Sequence, residues 1–293
     1  MHHGISEDKQ GNILATGSKT SAKIANGKDV RINDFIIMMD PEKGEILQEW
    51  DLVHMLDSAR YGMTDYDLTS DPFAQSASNW AHNNGIVEWG DDYLATARYQ
   101  GVFKFNKAGG IEWIISPHGY WRDKYLKLLL NPLHADGTPI TDPEVIAGTK
   151  NCDDFEWPWG CHTAVPLPNG HIFYFNNGYG RNFKLDFTDR KNIYTCGIEY
   201  EVDEVNRTVR QVWQYGKERG AAYFTPARSG VQYLEQTGNR LICPGMSNVL
   251  SNGNYGARVT EVDPETQEIV FELELEDAIY QRVYRMSLYP DNQ

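Results

Sequence analysis

The sequence predicts an all-β protein, and within that class a β-propeller with short helical insertions. Two observations predict this fold: one strand-and-turn unit recurs four times, and its strands alternate apolar with polar residues. A turn followed by a short apolar strand recurs at Leu14, Leu94, Phe173 and Leu241, which lie 80, 79 and 68 residues apart. Each repeat therefore supplies about four antiparallel strands, the number in one propeller blade.

A hairpin follows each of these strands and gives the predicted elements in chain order. Each hairpin has an apolar strand, a turn led by Asp or Asn, and a second apolar strand. The bounds of strand, turn and strand are 35–39, 40–44 and 46–50; 102–105, 106–110 and 111–115; 198–202, 203–206 and 209–213; and 259–262, 263–266 and 269–275. Asp and Asn side chains accept hydrogen bonds from the backbone two residues on, so they begin tight turns readily.

The remaining segments predict a helix and a final strand. Residues 121–130 carry apolar side chains at near-helical spacing and predict a short helix, and residues 283–289 predict a lone strand. In a closed propeller a terminal strand completes the blade begun at the other end, whereas this chain begins directly on a strand and turn. We therefore expect a single propeller domain over residues 1–293 whose ring is incomplete. A β-sandwich is the alternative fold, but four copies of one unit favour radial repetition.

Composition limits the classes of partner. The 293 residues are 41% hydrophobic and carry 27 basic against 41 acidic side chains, a net charge of −14. Such a surface repels polyanions, so we expect neither nucleic acid nor an anionic membrane as a partner. No apolar run approaches the ~20 residues of a transmembrane helix. A small anionic substrate is compatible with this charge if a local cationic pocket receives it.

Familiar cofactor and metal motifs are absent from the sequence. It has no phosphate-binding glycine loop, dinucleotide fingerprint, HExxH or GxSxG motif, and we predict no cofactor. None of the four cysteines forms a CxxC pair, which predicts that the chain has no metal site. Cys152 and Cys161 are spaced so that either a disulfide or two isolated buried thiols is compatible with the sequence.

Two histidines occupy corresponding places in successive repeats. His82 lies nine residues before the turn at Asp91, and His162 lies eight residues before the turn at Gly170. Because the inner strands of all blades line one channel, we expect these imidazoles to face a common cavity. Arg181 follows a glycine-rich turn, and a guanidinium there can bind sulfate, phosphate or carboxylate by two hydrogen bonds. The alternatives are two hydrogen-bonded core histidines and a solvated loop arginine.

Four motifs together resemble the bacterial arylsulfate sulfotransferases that use no nucleotide sulfate donor. They are WAHNN at 80–84, WPWGCHTA at 157–164, NGYGR at 177–181 and VWQYGKERG at 212–220. The resemblance runs through nearly the whole chain in the same order. It implies a six-bladed propeller with its active site in the central channel. It also implies that the N-terminal β-domain and the opening blade material of the family are absent here.

The resemblance further implies a reaction. The family transfers a sulfuryl group from an aryl sulfate to a phenol by a ping-pong mechanism through a sulfated histidine. His82, His162 and Arg181 match the positions that bind and polarise the sulfate. The nucleophile position falls on Asn248, and an amide nitrogen cannot form a comparable intermediate. Three readings are open: a residue changed to trap substrate, a natural non-catalytic relative, or a shifted alignment.

Further expectations concern partners and location. Trp80, Trp159 and Tyr284 are candidates to stack on the aryl group, although such residues more often belong to a core. The resemblance implies a periplasmic or secreted protein that acts on small aryl sulfate donors and phenol acceptors, and leaves monomer or homodimer open. The alternatives are a non-catalytic propeller that binds a sulfated or other anionic small ligand, and a propeller that binds other proteins.

Overall fold

A computed structural model describes residues 1–19, 33–60, 80–186, 188–247, 255–280 and 283 of the chain. Four separate sheets, all or mainly antiparallel, account for the strands of these residues, and the helices are short. The prediction of an all-β, propeller-like protein is therefore confirmed. None of the helices in the described ranges is long and apolar enough to cross a lipid bilayer.

The first two sheets each contain four antiparallel strands that pair in chain order. The strands of the first sheet are β1 (Ile5–Glu7), β2 (Ile13–Lys19), β3 (Asn33–Asp40) and β4 (Glu45–Asp51). Those of the second are β5 (Asn83–Trp89), β6 (Asp92–Ala97), β7 (Gly101–Phe105) and β8 (Ile111–Ile115).

The third and fourth sheets repeat this plan, with one additional strand in the third. A short strand from the insertion after β8, β9 (Asn131–Leu133), pairs in parallel with the outer strand of the third sheet. The other strands of that sheet are β10 (His162–Pro166), β11 (Ile172–Asn176), β12 (Cys196–Asp203) and β13 (Thr208–Tyr215). The fourth sheet contains β14 (Ser229–Tyr233), β15 (Arg240–Pro244), β16 (Gly256–Val262) and β17 (Ile269–Glu276).

The helices occupy connections. The α-helices are α1 (Leu52–Met55), α2 (Asp123–Leu126), α3 (Pro143–Ala147) and α4 (Gly220–Tyr223). One-turn 3-10 helices lie at Arg181–Phe183, Arg190–Asn192 and Lys217–Arg219. The predicted helix at 121–130 is thus present as the shorter α2. The sequence did not predict β9, because its parallel pairing with β13 is a long-range contact.

All four predicted hairpin turns form for the predicted reason. Asn106 Oδ1 accepts hydrogen bonds from the backbone N–H groups of Ala108 (3.1 Å) and Gly110 (3.0 Å). Asp40, Asp203 and Asp263 accept equivalent bonds in the other three turns. Each Asx side chain therefore closes its own turn, which is why short-range sequence sufficed to locate the hairpins.

Apolar side chains fill the spaces between successive sheets. Phe103 and Leu14 belong to one buried cluster between the first and second sheets, and Tyr174 and Leu94 belong to another between the second and third. Complete burial of a side chain such as Phe103 contributes roughly 1.5–3 kcal/mol to stability. The first strands of the sheets also meet, because β10 contacts both β5 and β14, and β1 contacts β5. Side chains from different sheets therefore approach one another at these strands.

Two predictions about the ends of the fold fall outside what is described. Apart from Val283, the predicted strand 283–289 lies outside the described residues. The single domain over residues 1–293 and the six blades implied by the resemblance stay predictions.

Candidate active site

His82 and His162 occupy the same place in neighbouring sheets. His82 immediately precedes β5, and His162 is the first residue of β10. Both strands begin with an irregularity in their pairing with the next strand. The register shifts between Asn83 and Gly85 in β5 and between His162 and Ala164 in β10. Such a bulge turns the side chains beside it away from the regular alternation of a strand. Both imidazoles are buried.

A third imidazole, that of His3, lies next to both. The His3 ring centroid is 4.8 Å from that of His82 and 5.9 Å from that of His162. His2 adds a fourth ring, 4.9 Å from His3 and 6.1 Å from His82. Side chains from the segment before β1, from β5 and from β10 thus form one group, which we call the histidine cluster (His2, His3, His82 and His162).

A glycine contact permits this approach. A Cβ atom on Gly4 would lie 2.8 Å from Gly85 Cα, closer than real Cβ atoms approach a neighbour, and 3.1 Å from Asn84 O, which is also tight. The Gly4 carbonyl accepts a hydrogen bond from Thr16 N (3.1 Å), so the segment before β1 continues along β2. Because the backbone at Gly4 touches the backbone of β5, His3 reaches the ring of His82.

Hydrogen bonds hold His2 and the start of β5 to the same carboxylate. His2 Nε2 lies 2.5 Å from Ser18 Oγ, and Ser18 Oγ donates to Asp34 Oδ1 at 2.5 Å. The other oxygen of buried Asp34 accepts from Asn83 N at 2.8 Å. Asp34 therefore fixes the backbone next to His82 and the ring of His2 together.

The tautomer of His162 follows from its neighbours. His162 Nδ1 lies 2.6 Å from Asn177 Oδ1 and 3.2 Å from the carbonyl of Gly160. Asn177 Nδ2 donates to the Thr225 carbonyl at 2.8 Å, which orients the amide so that its oxygen faces the imidazole. Both groups near Nδ1 are acceptors, so Nδ1 carries the proton. The lone pair of the neutral ring is then on Nε2.

Arg98 supplies the positive charge beside the cluster. It follows β6 directly, and its backbone N–H donates to the carbonyl of His82 at 2.9 Å. The guanidinium is buried; Nη2 donates to the Pro226 carbonyl at 2.7 Å, and its carbon lies 4.6 Å from the ring centroid of Tyr179. A carbonyl and an aromatic face thus stabilise this buried cation.

Burial and these charges determine the protonation of His82. Burial lowers the pKa of His82 well below its ordinary value, and the neighbouring His3, Arg98, His162 and His2 lower it further. His82 is therefore a neutral imidazole at neutral pH, able to accept a proton or a hydrogen bond.

Cys161 and Cys152 are both free thiols. Of the two arrangements that the sequence allowed, the structure has the isolated thiols. Burial raises the pKa of Cys161 to about 12, so the thiol next to His162 stays protonated at neutral pH. It is a weak nucleophile in that form. Within the cluster, the imidazoles are the better nucleophiles.

Comparison with known proteins agrees with the motifs. The sequence profile of the arylsulfotransferase (ASST) family matches residues 1–285. The chain belongs to the arylsulfotransferase family. It is 29% identical over 321 residues to arylsulfate sulfotransferase AssT of Escherichia coli O6:H1 (strain CFT073), and 28% identical over 321 residues to AssT of Lelliottia amnigena. Each match covers 99% of this chain and 53% of the relative, so the chain spans about half the length of these curated relatives.

In this arylsulfotransferase chain Arg181 has a different environment from the one that the sequence suggested. Its guanidinium forms a buried ion pair with Glu156, and Nε and Nη2 donate to the carbonyls of Asn192 (3.2 Å) and Tyr194 (3.3 Å). It also lies 3.9 Å from the ring centroid of Tyr194. The contacts that hold Arg181 are thus a carboxylate, two carbonyls and an aromatic ring. A role in sulfate binding stays a prediction.

The other predicted site residues of the arylsulfotransferase chain divide into two groups. Trp80 is fully buried in the core between the first and second sheets, and Trp159 packs edge-on against Phe183 at 5.1 Å. Both contribute to the apolar core, and their stacking on an aryl group stays a prediction. Asn248 and Tyr284 lie outside the described residues.

Two residues of this candidate site were missed by sequence reasoning. His3 lies 79 residues before His82, almost the 80-residue interval from His82 to His162, so the repeat itself could have found it. Arg98 directly follows the strand that pairs with β5, and hairpin pairing places it opposite His82. The glycine-rich turn had instead indicated Arg181, which follows β11.

The lowered pKa of His82 predicts a pH dependence of stability. A histidine in the unfolded chain titrates near pH ~6.5. Because folded His82 resists protonation, the unfolded state takes up more protons as the pH falls below that value. The free energy of unfolding should therefore decrease from pH 7 to pH 5. Urea denaturation across this range should show a smaller decrease in His82→Gln than in the parent chain; equal slopes would contradict the assignment.

Proposed function

We propose that this chain transfers a sulfuryl group from an aryl sulfate to a phenol in two steps, through a sulfated histidine. The observation that carries the proposal is the convergence of His3, His82 and His162 beside Arg98 in a buried site. Membership of the arylsulfotransferase family supports the same chemistry. The chain as a whole carries a net charge of −14, so a site that gathers imidazoles and a guanidinium differs in charge from the rest of the protein.

His162 is the proposed nucleophile. Its Nε2 lone pair attacks the sulfur of the aryl sulfate; an N–S bond forms, the sulfur–aryloxy bond breaks, and the phenolate departs with the bonding electron pair. Positive charge develops on the ring during this step. The Nδ1–H group, which donates to Asn177 Oδ1, stabilises that charge and holds the ring in position. This assignment needs no histidine at residue 248.

Arg98 stabilises the transferred sulfuryl group, and His82 accepts the proton of the phenol that receives it. In a loose transition state the charge lies on the peripheral sulfate oxygens, and a buried guanidinium stabilises it strongly. In the second step a phenol oxygen attacks the sulfur of sulfated His162, the N–S bond breaks, and neutral His162 is restored. Neutral His82 accepts the phenol proton as general base, which its lowered pKa permits.

The test is an assay of the chain with a chromogenic aryl sulfate and a phenol acceptor, run beside the variant Asn248→His. We expect release of the chromogenic phenol by the parent chain, dependent on acceptor after the first turnover. Activity that appears only in Asn248→His would place the nucleophile at residue 248 and contradict the role of His162.

A single-turnover experiment separates catalysis from binding. Without acceptor, the parent chain should release one equivalent of phenol and gain the mass of one sulfuryl group on the peptide that contains His162. Binding of the aryl sulfate without release would instead favour the non-catalytic anion-binding alternative. A periplasmic or secreted location and the homodimer stay predictions.

A further inference from the structure

We propose that His134, Cys152 and Asp154 form a binding site for one divalent transition-metal ion of the zinc class. Three different donor atoms converge there: an imidazole nitrogen, a thiol sulfur and a carboxylate oxygen, all within 4.8 Å of one another. In the part of the chain that is described, no other group of three or more His, Cys, Asp or Glu residues meets this condition. The site is distinct from the histidine cluster.

The distances suit a small ion. Asp154 Oδ1 lies 3.0 Å from His134 Nδ1 and 3.1 Å from Cys152 Sγ. Bond lengths of ~2.0 Å to oxygen and nitrogen and ~2.3 Å to sulfur separate tetrahedral ligands by about 3.3–3.5 Å. The two distances to Asp154 Oδ1 therefore need to lengthen by only a few tenths of an ångström, and all three donor atoms already lie within 4.8 Å of one another.

The carboxylate is already oriented for this role. Asp154 Oδ2 accepts a hydrogen bond from Ala135 N at 2.9 Å, which directs Oδ1 toward the other two donors. Bonds of this kind fix the orientation of metal ligands in known sites. In the metal-free protein Cys152 Sγ lies against Oδ1, and His134 Nδ1 lies against both oxygens, at 3.0 Å from Oδ1 and 3.2 Å from Oδ2. Metal binding would release the thiol proton and move the imidazole proton to Nε2.

The chain segments that carry His134 and Asp154 are held in place by strand pairing and by core packing. His134 directly follows β9, whose pairing with β13 fixes its position in the third sheet. Asp154 directly precedes Phe155, a buried ring that stacks on Tyr200 at 5.7 Å. Both the His134 and Asp154 side chains are partly exposed, so an ion and a completing water molecule can enter. Three protein ligands and an open position are a common zinc arrangement.

The donor set indicates the class of metal. Calcium and magnesium prefer oxygen ligands alone, whereas nitrogen and sulfur donors select zinc and similar ions. The sequence predicted no metal site, because none of its cysteines forms a CxxC pair. These donors are instead separated by 18 and 2 residues, and only the fold of the insertion brings His134 to the other two.

Cobalt(II) is the probe for the test, because a thiolate ligand gives it a distinctive near-ultraviolet charge-transfer band. The reduced full chain is titrated with cobalt(II) and then with zinc(II). We expect one equivalent of cobalt to produce the band and the visible spectrum of a four-coordinate ion, and zinc to displace it. Failure to bind, or binding without the sulfur band, would overturn the proposal.

Variants locate the site. Cys152→Ala should abolish the band, and Asp154→Asn, which keeps the side-chain shape, should weaken binding at least tenfold. His171→Gln is a matched control, because His171 also pairs with a carboxylate, that of Glu199 at 2.7 Å. His82→Gln disrupts the histidine cluster, the competing nitrogen site. The band should persist in His171→Gln and in His82→Gln. Persistence of the band in Cys152→Ala, or its loss in His82→Gln, would overturn the proposal. Circular dichroism confirms that each variant is folded, and the aryl sulfate assay reports the proposed function separately.

Discussion

Replacement of His162 by asparagine is expected to lower sulfuryl transfer by roughly 10⁴-fold or more, because it removes the only proposed nucleophile. The asparagine amide can still donate toward Asn177 Oδ1, so the hydrogen bond of Nδ1 is approximately replaced. The stability cost should then be about 1 kcal/mol or less. Steady-state release of a chromogenic phenol, with thermal unfolding measured on the same sample, checks both expectations.

The matched control for this variant is His171→Gln, which changes a half-buried histidine that pairs with Glu199. It should retain the activity of the parent chain. Mass spectrometry adds a direct readout, since the sulfuryl adduct should be absent from His162→Asn. If His162→Asn turns over at the parent rate, or carries the adduct elsewhere, the nucleophile is another residue.

Replacement of Arg98 by methionine is expected to lower kcat by about 10²–10³-fold, the effect of losing one strong donor to transition-state charge. Methionine keeps an unbranched side chain of similar length and removes the guanidinium, together with its contact over the Tyr179 ring. Removal of that charge should also raise the pKa of His82, since Arg98 is one of the groups that lower it. The acidic limb of the pH–rate profile should therefore move to higher pH.

Arg219→Met is the control for a general loss of positive charge, because Arg219 is held by Glu272 through two hydrogen bonds. It should leave kcat unchanged.

A comparison with Arg181 decides between the two arginines as sulfate ligand. Since Arg181 is a buried partner of Glu156, it must be replaced together with that carboxylate to avoid an unpaired buried charge. A loss of kcat in the Arg181 and Glu156 double variant but not in Arg98→Met would support the sequence-based assignment.

The histidine residues show how far the repeat pattern could predict the site. It identified His82 and His162 because each stands at nearly the same distance from its turn, nine and eight residues, and a bulge follows directly at both places. It passed over His3, which lies in the same register but is brought to β5 by the contact between Gly4 and Gly85. That contact joins residues about 80 positions apart, and no local pattern records it.

The two arginines differ for a similar reason. Arg98 and Arg181 both follow the second strand of a repeat, so the sequence alone gives them comparable roles. The structure distinguishes their positions, since Arg181 pairs with Glu156, whereas Arg98 donates to the Pro226 carbonyl, lies over Tyr179 and is bonded to His82 through the backbone. Glu156, Pro226 and Tyr179 come from distant segments whose approach depends on the packing of the sheets.

Local sequence by itself determined the all-β class, the four hairpins and their Asx turns. Each of these depends on residues within about ten positions of one another, where strand alternation and side-chain-to-backbone bonds act directly. Only the tertiary structure decided which imidazoles lie together and which cation lies beside them. It also decided that His134, Cys152 and Asp154 lie within 4.8 Å of one another. Those arrangements join side chains from separate segments, and their positions are set by the packing between sheets.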